Sequence, residues 1–172
     1  MIRSAINTDL PAIMQIEQQF GEEAWPIGGF ARYLHRQSAC FRVIISNNQV
    51  VGYYLLEWRA GTTLCRLSSI AIAPEYQGRG LGHDLMTDCM SICQDLRFKT
   101  FRLEVASQNT VARKMYRNFG FRECGVIEQY YHNDNAITPS RDRWSGPDAR
   151  VWLPLPSLVG VIGRSVAVAI SP

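Results

Sequence analysis

Residues 77–82 read Gln77-Gly78-Arg79-Gly80-Leu81-Gly82, and they are the first place in the chain where composition suggests chemistry. Three glycines at every second position let backbone N–H groups turn inward together. A stretch with Leu81, Leu85, Cys89, Ile92, Cys93 and Leu96 at helical spacing follows directly. A helix N-terminus carries about half a positive charge, so a glycine turn feeding a helix is an anion trap. The run before it, residues 68–73, is small and β-branched and reads as a buried strand that Pro74 ends. Strand, glycine turn and helix together suit a pyrophosphate. The pattern is G-x-G-x-G rather than G-x-G-x-x-G, and no Walker lysine follows, so a nicotinamide or nucleoside-triphosphate site fits poorly. A plain turn before a helix would also use glycines.

A second polar constellation stands about 20 residues beyond that helix's start: Leu103-Glu104-Val105, then Asn109, Tyr116 and Gly120-Phe121. Glu104 lies at the end of a strand read at residues 99–105, where a carboxylate can face a cleft. An α-amine has a pKa of roughly 8 against about 10.4 for lysine, so one carboxylate acting through water can deprotonate it near neutral pH. A tyrosine hydroxyl can return a proton to a departing thiolate. Each residue also has an ordinary structural reading. Glu104 fits a solvated strand end, Asn109 a helix cap, Tyr116 an amphipathic core position and Arg79 a surface cation.

The elements that would hold these residues can be read along the chain. Residues 2–5 form a short strand. Asn7 or Thr8 can cap a helix with Pro11 in its first turn and Gly21 at its end. Residues 30–36 read as a second short helix, and Trp25 as a core anchor or as part of a substrate wall over residues 22–30. Residues 40–46 and 50–58 form a hairpin around Asn47-Asn48. Residues 64–73 follow as the central strand, then the glycine helix and a strand at 99–105. A helix at 110–118 ends at Gly120. Strands at 121–127 and 149–153 complete the order. The expected fold class is α/β, a mixed and mostly antiparallel sheet of about seven strands flanked by about four helices.

The chain is 172 residues, enough for one domain of ordinary size, and 47% of it is apolar, which supports a packed core. We place that domain at residues 1–154. A net charge of +3 with no basic run suits an anionic ligand and gives no reason to expect nucleic acid. Five cysteines, an odd number without a C-x-x-C pair, point to a reducing, cytoplasmic setting. Cys89 and Cys93 share a helix face and read as two buried thiols; no metal site is expected. No signal run or membrane span stands out.

The spacing of residues 77–82 resembles the Gln/Arg-x-x-Gly-x-Gly/Ala signature of the GCN5-related N-acetyltransferases (GNAT). The run from Leu103 to Phe121 is similar to the branch of that family that acetylates N-terminal amines, especially the ribosomal-protein alanine N-acetyltransferases. The resemblance covers residues 2–153 and is densest over 67–121. It implies the GNAT acyl-CoA N-acyltransferase fold and an N-acetyltransferase that uses acetyl-CoA as co-substrate, with a protein N-terminus as acceptor. By the same resemblance Glu104 is the general base and Tyr116 the acid at the thioester sulfur. Gln77, Gly78, Arg79, Gly80, Leu81 and Gly82 hold the pyrophosphate, and Asn109 the pantetheine arm. The Ile72 main-chain N–H meets the oxyanion, with Ile70 and Ala71 along the cofactor. Gln129-Tyr130-Tyr131 is similar to a tyrosine pair that closes over the peptide N-terminus, and Tyr131 is the expected substrate contact.

Two segments depart from that pattern. Residues 132–148 read as a long loop that alters the acceptor site. Residues 155–172 form an apolar tail that can add a strand, cover a patch or mediate self-association. Two other functions remain open at this stage: a small-molecule or antibiotic amine acetyltransferase, and a non-catalytic acyl-CoA-binding module.

Overall fold

In the computed structural model the described residues are 1–25, 28–131 and 134–142. They form one eight-stranded sheet. Strand β1 is Ile2–Ser4, β2 Ala39–Ser46, β3 Gln49–Trp58, β4 Leu64–Ile72, β5 Thr100–Arg102, β6 Val105–Ala106, β7 Arg122–Tyr131 and β8 Asp134–Asp142. The three α-helices are α1, Leu10–Glu17; α2, Leu81–Asp95; and α3, Thr110–Asn118. The expected mixed, mostly antiparallel α/β architecture is therefore present. Every strand pair is antiparallel except β4 with β5.

Local chemistry accounts for most of these elements. Asn47 and Asn48 both take positive φ, +48° and +63°, which gives the β2–β3 hairpin the turn that matches strand twist. Asn109 caps α3, its Oδ1 accepting the Ala112 N–H at 3.0 Å. Gly120, at φ +82°, closes that helix. Neither Asn7 nor Thr8 caps α1. They sit in a 3-10 turn, Asn7–Asp9, and the Asp9 carboxylate takes the Ile6 N–H at 2.8 Å while pairing with Arg3. α1 itself stops at Glu17, and a 3-10 segment carries the chain on through Gly21.

Two cores flank the sheet. On one face Leu85, Met86, Cys89 and Cys93 of α2, with Ala112 and Tyr116 of α3, pack on Cys65, Leu67, Ile70 and Ile72 of β4. On the other, Ile13 and Ile16 of α1 join Trp25, Phe30 and Tyr33 against Tyr53 and Ala71. Trp25 is a core anchor, 4.8 Å from Phe30 and stacked on it.

Three expectations are corrected. The second helix, expected over 30–36, is a single 3-10 turn, Ala31–Tyr33, whose aromatic Phe30 and Tyr33 are drawn into the core. The strand expected over 99–105 breaks in two, because β5 pairs with β4 and β8 whereas β6 pairs with β8. The loop expected over 132–148 contains β8, which pairs with β5, β6 and β7; Ala136 and Ile137 supply the apolar side chains that hold it there. The strand expected at 149–153 and the tail at 155–172 lie outside the described residues. Among the described residues no helix is long and apolar enough to cross a membrane.

Candidate active site

The sheet comes apart at its centre. β4 and β5 pair only at Leu64↔Thr100, Cys65↔Phe101 and Arg66↔Arg102. Beyond that point β4 stays with β3, while the chain after β5 turns to β8. A wedge opens between the carboxyl ends of two parallel strands, the place where α/β sheets take ligands. β4 also carries one extra residue. Leu55 faces Ser69 and Leu56 faces Leu67, so Ser68 is a bulge. The bulge changes which side chains face which way. Ser68 Oγ reaches Glu57 Oε1 at 2.7 Å, Ser69 Oγ meets the Tyr53 hydroxyl at 2.8 Å, and Ile70 and Ile72 are sent to the α2 face.

Backbone groups line the wedge as well. The Ala73 N–H donates to Val51 O at 2.8 Å, so strand alternation turns the Ile72 N–H to the opposite, open edge of β4. Ile72 is held close to β3 by Gly52, its partner across the ladder. A Cβ on Gly52 would lie 2.5 Å from Ile72 Cδ1 and 2.7 Å from Ala71 O.

The glycine turn borders a cleft of about 200 Å³ lined by Ile72, Gln77, Gly78, Gly80, Leu81, Gly82, His83 and Met115. Gly78 and Gly80 hold φ +71° and +82°, and Gly80 is the residue that starts α2. This left-handed backbone is what the glycines supply. Two neighbouring side chains turn away from solvent ligands. Gln77 Nε2 donates to Ile72 O at 3.0 Å and to Gln19 Oε1 at 3.1 Å, tying the turn to β4. The Arg79 guanidinium folds back on Glu75 O at 2.8 Å and over the Tyr76 ring at 5.0 Å, so in this state it braces the turn.

Glu104 sits in the gap between β5 and β6, on the face away from α2, and is buried. Arg66 Nε donates to its Oε2 at 2.9 Å, and Arg66 Nη2 donates to the Tyr130 hydroxyl at 3.1 Å. Glu57 stands 3.6 Å from Arg66 Nη1 and 3.6 Å from Arg36. Burial works against the Arg66 cation, but Glu104 and its acidic neighbours outweigh it and hold the guanidinium charged. Arg66 is absent from the set picked out by sequence, and Tyr130 enters there only as one half of the tyrosine pair, with Tyr131 the expected contact. The available signal was a charged residue, Arg66, inside an otherwise apolar central strand.

Tyr116 lies on the opposite face, 1% exposed, beside Phe121. Among the described residues its hydroxyl has no hydrogen-bond partner. Burial pushes the phenol upward, with Cys89 adding to the effect, so it stays protonated at working pH. Glu104 and Tyr116 thus belong to the two sides of the sheet that the wedge connects. Ile70 and Ala71 are buried on alternate faces of β4, while Tyr131 ends β7 in register with Asp134. Among the described residues no group of His, Cys, Asp and Glu is arranged to hold a metal ion.

A splayed, bulged β4 is followed by a glycine turn over a helix, and the sequence profile of the Acetyltransferase (GNAT) family matches residues 10–121. The chain belongs to that family. Family membership makes this GNAT protein an acetyl-CoA-dependent N-acetyltransferase. It is 30% identical over 135 residues to the ribosomal protein bS18-alanine N-acetyltransferase of Escherichia coli K12, covering 76% of this chain and 86% of that one. The crystal structure of the ribosomal-protein-S18-alanine N-acetyltransferase from Escherichia coli superposes with a TM-score of 0.77 at 24% identity, over 88% of this chain and 99% of that one. An uncharacterised protein of Mycobacterium leprae is also 30% identical over 136 residues, 76% of this chain, which spans only 37% of that longer protein.

The described GNAT site fits acetyl-CoA on its own terms. Left-handed glycines at a helix N-terminus suit a pyrophosphate. Among the described residues the wedge leaves a strand edge free for the amides of a pantetheine arm, and the buried Tyr116 hydroxyl on the α2 face has no partner.

Proposed function

We propose that this enzyme acetylates the N-terminal α-amine of a protein, of the ribosomal-protein type, in a reducing cytoplasmic setting. Glu104 acts as base through water and Tyr116 as acid, and the amine attacks the thioester directly. Acetyl-CoA supplies an activated acyl group and a weakly basic leaving thiolate. Gly78, Gly80 and the start of α2 bind its pyrophosphate. Leu81 and Gly82 continue that surface, Gln77 fixes the turn and Arg79 swings from Glu75 to the phosphates. The Ile72 N–H donates to the developing oxyanion; main-chain groups of Ile70 and Ala71 and the side chain of Asn109 steady the arm. Tyr131 meets the acceptor backbone. The catalytic unit is residues 1–154.

The observation that carries the reading is the setting of Glu104. Its buried carboxylate lies beside the wedge on the face lined by Glu57, Arg66 and Tyr130, the face opposite α2 from which we bring the acceptor. The name of the 30%-identical Escherichia coli relative supports the choice of a ribosomal N-terminus.

Mass spectrometry of a peptide panel, incubated with acetyl-CoA and the full chain, tests it. We expect acetylation at the α-amine of peptides bearing ribosomal-protein N-termini. Acetylation confined to small amines would assign a small-molecule acetyltransferase. Binding of acetyl-CoA without turnover on any amine would leave a non-catalytic acyl-CoA module.

A further inference from the structure

The chemistry described so far leaves one cluster without a task. Three of the five cysteines meet under α2. Cys65 Sγ, on β4, lies 3.0 Å from Cys93 Sγ, on α2, and both are buried. Cys89 stands one turn earlier on the same helix face and is fully buried. All are free thiols. Cys93 also lines a separate cavity of about 260 Å³ at the carboxyl end of α2, walled by Met90, Phe98 and Phe101 and carrying the cations Lys99 and Arg141. Of the three sulfurs it is the one that a small molecule in that cavity can touch.

We propose that Cys93 and Cys65 form an oxidisable dithiol, with Cys93 attacking a small hydroperoxide admitted through this cavity and Cys65 resolving the product as a disulfide. In the first step the Cys93 sulfur attacks one peroxide oxygen and the O–O bond breaks. The sulfur is oxidised to a sulfenic acid, and the other oxygen leaves as an alcohol or water carrying the thiol proton. In the second step the Cys65 sulfur attacks the Cys93 sulfur, the S–O bond breaks, and water leaves with the Cys65 proton. Two thiols and one peroxide become one disulfide, one alcohol and one water.

The surroundings favour that order of events. Interaction with Cys65 and Cys89 lowers the Cys93 thiol from its ordinary value against the effect of burial, whereas the Cys65 and Cys89 thiols are raised. The thiolate is the attacking species, so Cys93 is the natural first site and Cys65 the neighbour at contact distance. Cys89 is a poor resolving partner, because two residues four apart on one helix face cannot turn their sulfurs together without unwinding it. The apolar cavity walls suit an alkyl hydroperoxide as well as hydrogen peroxide. The bond would join β4 to α2 and close a loop between positions 28 residues apart in sequence.

The test uses the full chain carrying Cys124→Ser, which removes the exposed thiol. The protein is treated with one equivalent of hydrogen peroxide or cumene hydroperoxide, alkylated, and mapped without reduction. We expect a peptide pair joined through Cys65 and Cys93, lighter by two hydrogens and separated by dithiothreitol. The melting midpoint should rise by several degrees, because the cross-link restricts the unfolded chain. In Cys65→Ser, dimedone should label Cys93. Cys93 recovered as a free thiol after peroxide treatment would overturn the proposal, and so would a disulfide joining either cysteine to Cys40 or Cys89. The mapping does not depend on any variant at Cys65 or Cys93 folding.

Discussion

Arg66 Nε lies 2.9 Å from Oε2 of Glu104, across the point where β4 and β5 cease to pair. The pair spans the mouth of the wedge, and Arg66 reaches on to the Tyr130 hydroxyl and toward Glu57. One guanidinium therefore sets the position of the carboxylate we assign as base. Glu104→Gln should lower kcat/KM by about 10²–10⁴-fold, the span usual for a general base, while calorimetry finds acetyl-CoA affinity unchanged. Arg66→Met keeps the carboxylate but strips its partner. A smaller loss of turnover is expected, together with a stability loss of about 1–3 kcal/mol from the half-paired charge, measured by urea unfolding.

Tyr116 offers a split between activity and stability. Its hydroxyl is buried without a partner among the described residues, so removing it relieves a desolvated group. Tyr116→Phe should leave the unliganded protein as stable as before or more so, by up to about 1 kcal/mol. Turnover should nevertheless fall, and by the same factor from pH 7 to pH 9, because burial keeps the phenol protonated across that range. A stability loss with full activity would make Tyr116 a packing residue only.

The glycines divide into two kinds. Gly80→Ala meets no atom within 4 Å, so its penalty is conformational, about 1 kcal/mol for a residue at φ +82°. Binding of coenzyme A should weaken because the turn relaxes. At Gly52, by contrast, an added Cβ collides with Ile72 Cδ1 and Ala71 O, and Ala71 O is backbone that cannot step aside. Gly52→Ala should cost about 1–3 kcal/mol and displace the edge of β4 that carries the Ile72 N–H. Its effect on kcat should exceed that of Gly80→Ala, although residue 52 lies outside the glycine turn.

Arg3 and Asp9 clamp the entry to α1, with Nη1–Oδ2 at 2.6 Å and Nη2–Oδ1 at 2.8 Å. The Arg3 guanidinium holds the Asp9 carboxyl below its ordinary value, aided by the Ile6 N–H and opposed by burial. A depressed folded-state pKa gives stability that is present above the unfolded value, near 3.9, and is lost as pH falls through the folded one. Asp9→Asn should therefore cost about 1 kcal/mol at pH 7, a modest figure because Arg3 is one-third exposed. As pH falls below about 4 the two proteins should begin to converge, and they should meet only below the lowered folded-state value of Asp9, as followed by thermal melts across pH.

Much of this protein could be read from its residue order because the relevant physics is local. Asn47-Asn48 at a hairpin, Asn109 before a helix, Gly120 after one and the glycines of residues 77–82 each act within a few bonds of themselves. The helix that carries Tyr116 was legible for the same reason, and so was the β5 stretch that leads to Glu104, but not the break in which Glu104 sits. Tertiary structure decided what depends on partners far along the chain. β8 forms inside an apparent loop because β5, β6 and β7 offer it open edges, and a segment rich in polar and turn-forming residues gives no periodic sign of that. The bulge at Ser68 comes from the register of β3 against β4 and reverses which side chains face α2. Arg66, 38 residues from Glu104 and 64 from Tyr130, meets both only once the sheet has formed, and Cys65 meets Cys93 in the same way across 28 residues.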